Sequence, residues 1–204
     1  MNKSVGDSTQ QAIKKRIIAK GRGQFVFLQD FSTIGTRNAT KKAFQRLAND
    51  GFIMRIANGI YYYPRIDKEL GFGVLQPSLS DVANAIAKRD KAVIIPTGPY
   101  ALNMLGLSMQ VPANAVYLTN GSPRRIHVGH GKGILFIHTS DNKMLAFRSQ
   151  LMLLIVIAMR EIGEKNITEE EIKTIKQHLQ NVTHGDFEHD IRLAPVWVRN
   201  ILLT

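Results

Sequence analysis

A two-part α+β fold is predicted for this chain: an N-terminal winged helix-turn-helix followed by a mixed α+β domain. Three observations predict it. Residues 1–65 hold 12 Lys and Arg against 3 Asp, so +9 of the chain's +11 lies in its first third. In that stretch, residues 36–64 read TRNATKKAFQRLANDGFIMRIANGIYYYP, an amphipathic segment running straight into a hairpin with an Asn-Gly turn. Residues 66–204 carry 15 basic and 13 acidic residues and mix helical with alternating strand patterns. A chain that is basic only for solubility spreads its charge, whereas a phosphate-binding module concentrates it.

Taken in order, the first helix starts at Ser8 or Thr9, both good N-caps, and runs to about Lys20. Ile13, Ile17 and Ile18 form its apolar stripe, Lys14, Lys15 and Lys20 face outward, and Gly21 and Gly23 end it. Gln24–Phe27 has strand composition, and residues 28–34 are long enough for a two-turn helix ended by Gly35. Thr36 or Asn38 caps the next helix. At 100° per residue, Thr40, Ala43, Phe44, Leu47 and Ala48 share one face of it. The other face carries Asn38, Lys42, Gln45, Arg46 and Asn49, with Lys41 at its edge. Asn49 also suits a helix end, and Asp50-Gly51 closes the helix. Residues 53–57 and 60–63 are strands joined through Asn58-Gly59, a strong hairpin signal.

Three helices and a hairpin make a winged helix-turn-helix. The candidate DNA contacts are Thr36, Asn38, Lys41, Lys42, Gln45 and Arg46 on the helix, and Arg55 and Asn58 on the wing, with Arg65 just behind. Amide side chains pair doubly with adenine, and Arg or Lys read guanine edges and phosphates. The wing residues address the minor groove or its phosphates.

Residues 66–76 are a connector without clean periodicity, in which Leu70, Phe72, Val74 and Leu75 need cover. Residues 77–204 form the second domain. Ser80 caps a helix through Lys88; residues 91–95 are a short strand ended by Pro96; residues 99–105 make a turn or two of helix. Residues 116–119, 124–128 and 134–138 alternate as strands. Residues 147–162 are a long apolar helix, Thr168 to Glu171 form a capping box for another helix to about Asn181, and residues 196–202 make the last helix.

Arg124, Arg125 and Arg148 are candidates for a second basic patch, the alternative being isolated surface arginines. No nucleophile constellation is present, so neither enzyme activity nor a cofactor is expected. Residues 129–133, GHGKG, lack the Lys-Ser/Thr ending of a phosphate loop. His127, His130 and His138 lack carboxylate or thiolate neighbours, and residues 184–190, HGDFEHD, sit where a polar loop is expected, so no metal site is assigned. With no cysteine, disulfides and thiolate zinc sites are excluded. The N-terminus lacks the apolar stretch of a signal peptide, and the apolar run 151–159 is too short to span a bilayer. A soluble cytoplasmic protein without membrane contact is expected.

Two stretches resemble the AbiEi-type antitoxins of type IV (abortive-infection) toxin–antitoxin systems. One is AFQRLANDGFIMRIANGIYYYP at 43–64, with its Gly, basic strand and Gly-Ile-Tyr hairpin. The other is TGPYALNMLGLSMQVPANAVYLTNG at 97–121, with an Ala-Leu-x-x-Leu-Gly-Leu-Ser segment and the strand after it. The resemblance implies an autorepressor that binds inverted repeats in double-stranded DNA at its own promoter. It also implies an antitoxin whose second domain counters a nucleotidyltransferase-like toxin, functionally and without an assumed stable complex. The alternative is a ligand-responsive winged-helix regulator with no toxin partner.

Overall fold

Residues 5–67, 69, 71–129 and 131–204 are described by a computed structural model, in which helices and strands mix in an α+β fold. The chain divides into two units, one reaching to Ala85 and the other beginning at Ile86, with residues 127–129 counted in the first. Leu70 and His130 lie outside the described residues.

The first unit runs α1 (Val5–Lys20), β1 (Gln24–Phe27), a 3₁₀ turn (Leu28–Phe31), α2 (Arg37–Asn49), β2 (Met54–Ala57) and β3 (Ile60–Tyr63). Its three strands form an antiparallel sheet in the order β1-β3-β2. Helix α1 begins ahead of the expected Ser8 or Thr9 start, and Thr9 is buried. Ile13 and Ile17 are fully buried as their spacing requires, but Ile18, one residue round the helix, is exposed. The predicted two-turn helix at 28–34 is a single 3₁₀ turn, and only its Phe31 is buried. The core joins Ile13 and Ile17 to Val26, Phe31, Phe44, Leu47 and Ile53. Phe44 stands at its centre, its ring 5.2 Å from Phe31 edge-to-face and 4.8 Å from Tyr61.

The hairpin turn differs from the simplest Asn-Gly type. That turn needs positive φ at both central residues, whereas here Gly59 takes φ +71° and Asn58 does not. A register shift between Arg55 and Ala57 on β2 absorbs the difference.

The connector is not irregular. Arg65–Asp67 (β4) and Gly73–Leu75 (β5) pair as an antiparallel ribbon. Phe72, Val74 and Leu75 are exposed on it, contrary to the expectation that they need cover. Helix α3 (Leu79–Asp90) follows. Its start is held by Ser78 rather than Ser80: Asp81 N–H donates to Ser78 Oγ at 3.1 Å, and Ser78 N–H donates to the Asp81 carboxylate at 2.9 Å.

The chain continues with β6 (Ile94–Pro96), α4 (Pro99–Met104), β7 (Asn114–Thr119), β8 (Arg124–Val128) and β9 (Lys132–His138). The strands lie in the order β6-β7-β9-β8, with β6 antiparallel to β7 and β7 parallel to β9. Then come α5 (Asn142–Leu145), α6 (Gln150–Ile162), α7 (Glu169–Leu179), α8 (His184–Asp190), a 3₁₀ turn (Ile191–Leu193) and α9 (Val196–Leu203). The expected helix from Phe147 starts later, at Gln150, where Ser149 accepts from Met152 N–H. Every residue from Met152 to Met159 is buried, as befits a helix that is apolar all round and enclosed on all sides. The Thr168–Glu171 capping box is present in both its bonds. Residues 184–190 form a helix, not the expected polar loop, capped by Thr183. Among the described residues no helix is long and apolar enough to cross a membrane.

Candidate nucleic-acid interface

Helix α2 exists because its cap, its apolar spacing and its outward polar residues agree. Thr36 takes extended backbone and its Oγ1 accepts from Ala39 N–H at 3.3 Å, so Thr36, not Asn38, is the cap. Thr40, Ala43, Phe44 and Leu47 are buried against the core. That anchors the helix and turns Asn38, Lys41, Lys42, Gln45, Arg46 and Asn49 to solvent, where all six are exposed.

The packing of Phe44 on Tyr61 brings α2 alongside the β2–β3 hairpin. Between them lies a groove of about 800 Å³. Lys41, Gln45 and Asn49 line it from the helix, Arg55 and Asn58 from the hairpin, over a floor that includes Ile53 and Tyr61. Asn38, Lys42 and Arg46 lie on the other flank of α2, around a hollow of about 290 Å³. The structure therefore gathers Lys41, Gln45, Arg55 and Asn58 into one concavity and places Asn38, Lys42 and Arg46 apart from it. Thr36 stands at the helix start with its oxygen engaged in the cap.

Asn49, named in the sequence as an outward or a helix-ending residue, lines the groove as the third of an i, i+4, i+8 row with Lys41 and Gln45. That spacing was the available signal for it. Lys41, Lys42 and Arg55 have no ion-pair partner among the described residues.

Three further cations of this unit contact the fold. Arg22 donates to the Pro64 carbonyl at 2.9 Å and lies over the Tyr63 ring at 4.7 Å. Lys14 lies 4.9 Å above Phe52, and Lys20 pairs with Asp30 at 3.3 Å.

The second candidate patch is not assembled on one face. Arg124 and Arg125 are consecutive on β8 and project to opposite sides of the strand. Arg124 pairs with Asp90 and lies 5.5 Å over the Phe136 ring, while Arg125 is exposed. Burial of the Asp90 carboxyl raises its pKa. Hydrogen bonds from Arg89, at 2.7 Å, and from Arg124, with their positive charge, outweigh that and hold it below the usual aspartate range. Arg148 is exposed, and its backbone N–H donates to Asp190 at 2.9 Å. Among the described residues no group of three or more His, Cys, Asp or Glu is placed to hold a metal ion.

Fold and site together define a mixed α+β protein with a basic helix–hairpin groove in its first unit. Residues 12–187 match the model of a "Family of unknown function (DUF6088)", and the chain belongs to that family, which is not one named for antitoxins. Among solved structures, the chain is similar to the "Crystal structure of RV2827C protein from Mycobacterium tuberculosis". The TM-score is 0.48 at 11% sequence identity, with 96% of this chain and 80% of that chain covered. No curated protein matches the chain.

Proposed function

We propose that the first unit is a winged helix-turn-helix that binds double-stranded DNA, and that the protein is a transcriptional autorepressor. The observation that carries this reading is the single groove shared by Lys41 and Gln45 of α2 and Arg55 and Asn58 of the hairpin. The element order α1-β1-turn-α2-β2-β3 and the sheet order β1-β3-β2 suit a winged helix, with α2 as the recognition helix and β2–β3 as the wing. A helix that presents an amide flanked by cations is equipped to pair with base edges in a major groove, while the hairpin cation meets a neighbouring phosphate.

On the resemblance of residues 43–64 and 97–121 we further propose that the protein is the antitoxin of a type IV system, countering a nucleotidyltransferase-like toxin. The near-neutral part of the chain after the hairpin, residues 66–204, would carry that activity.

Gel-shift titration with the DNA upstream of the protein's own gene tests the first proposal. Operator affinity should exceed that for random duplex and fall steeply with salt, because each neutralised phosphate releases counterion. Equal affinity for both duplexes, insensitive to salt, would sink it. Co-expression with the product of a neighbouring nucleotidyltransferase-like gene tests the second proposal: growth should be rescued, and failure to rescue would remove the antitoxin role while leaving DNA binding standing.

A further inference from the structure

Residues 66–204 carry little net charge, 15 basic against 13 acidic, yet one cavity among them is strongly basic. This hollow, of about 430 Å³, is lined by Lys143 of α5, Arg160 of α6, Arg192 of the 3₁₀ turn and Arg199 of α9. None of the four has an ion-pair partner among the described residues. The carboxylate on this cavity belongs to Asp141, and its Oδ1 accepts from the Lys143 and Met144 N–H groups at 3.0 and 3.4 Å to cap α5. Glu161, beside Arg160 in sequence, lines an adjoining hollow instead.

Four cations that share a hollow with a single carboxylate keep a net positive charge and repel one another, and a fold tolerates this most readily where an anion visits. The walls between the charges are apolar: Phe147 is half-buried, and Leu153 and Val156 are buried one turn apart on the α6 face that also presents Arg160.

We propose that this cavity binds a small organophosphate with a flat apolar body. Three guanidiniums and an ammonium offer more donors than the two oxygens of one carboxylate can accept, which favours a phosphate dianion. An apolar wall with a half-buried aromatic ring suits a planar body better than a bare ion. The volume falls in the range of small-ligand sites.

Isothermal titration of the full-length protein at constant ionic strength decides the matter, with adenosine 5′-monophosphate and phenyl phosphate as probes and adenosine and inorganic phosphate as controls. At least one of the two organophosphates should bind saturably, about tenfold or more tighter than either control. The double variant Arg160→Gln, Arg192→Gln should weaken that binding by about tenfold or more. Its ligand-free thermal midpoint should not fall, because both side chains are exposed and their removal relieves repulsion. Absence of saturable binding by both probes would overturn the proposal, as would inorganic phosphate binding equally well or a double variant that binds like the parent. If the double variant instead lost affinity for duplex DNA while neither probe bound, the cations would belong to a nucleic-acid footprint and the proposal would fall.

Discussion

The fully buried carboxylate of Asp190 accepts a hydrogen bond from the backbone N–H of Ser149 at 2.8 Å, across 41 positions of sequence. Its other oxygen accepts from Arg148 N–H at 2.9 Å and from His189 Nδ1 at 2.8 Å. One side chain thus ties the end of α8 to the start of α6, whose first turn Ser149 caps. The most apolar helix of the second unit is positioned by its most buried acid.

Asp190→Ala should therefore cost about 3 kcal/mol, because it strands two part-buried backbone N–H donors as well as removing the hydrogen bonds of a fully buried carboxylate. Asp190→Asn, which keeps one acceptor oxygen, should cost less. Urea unfolding monitored by circular dichroism measures both, and a loss below about 1 kcal/mol for the alanine variant would show that water replaces the carboxylate.

Asp90 predicts an acid dependence. Its folded-state pKa is depressed, so its contribution is fully present above the unfolded aspartate value near 3.9 and is lost as pH falls through the lower folded value. The stability difference between the parent and Asp90→Asn should be constant from neutral pH to about pH 5 and shrink below about pH 4. Added salt should reduce the difference, since Asp90 and Arg124 are partly exposed. A difference that grew on acidification would contradict the pairing.

Within the groove, Gln45 and Arg55 should fail differently. Gln45→Ala should reduce discrimination at one base pair by about 1–3 kcal/mol and leave binding to random duplex nearly unchanged. Arg55→Ala should weaken both duplexes alike and lower the salt slope by about one. Gel shifts at several salt concentrations separate the two behaviours. Identical profiles would mean that neither residue reads a base.

Thr36→Ala tests whether that residue acts through the helix. Loss of the N-cap should cost about 1 kcal/mol of stability, and Thr36→Asp should restore most of it. If the aspartate variant recovers stability yet loses DNA affinity, a phosphate lies near this helix start. Recovery of both would confine Thr36 to capping.

Much of this was legible in the chain where interactions are local. The strand Gln24–Phe27, the β3 bounds Ile60–Tyr63 and the Thr168–Glu171 box follow from turn residues, alternation and cap chemistry within a few positions. The ribbon at 65–75 was not legible, because strands this short have no periodicity to detect and their exposed Phe72 and Val74 defy the burial rule. Residues 184–190 look like a loop or ligand cluster because their polar residues give no apolar stripe. They become a helix because Thr183 caps one end and Asp190 is bonded at the other.

By itself the sequence determined where positive charge is concentrated, which face of α2 turns inward, and which residues its outer arc must contain. Those are consequences of composition and of the 3.6-residue helical repeat. Only the tertiary structure decided that Lys41 and Gln45 share a groove with Arg55 and Asn58 while Asn38, Lys42 and Arg46 take the other flank. Helical periodicity sets the arc, but packing of Phe44 onto Tyr61 sets which part of it meets the hairpin. The same holds for the parallel pairing of β7 with β9 and for the cations around α6, brought together by burial of side chains far apart in sequence.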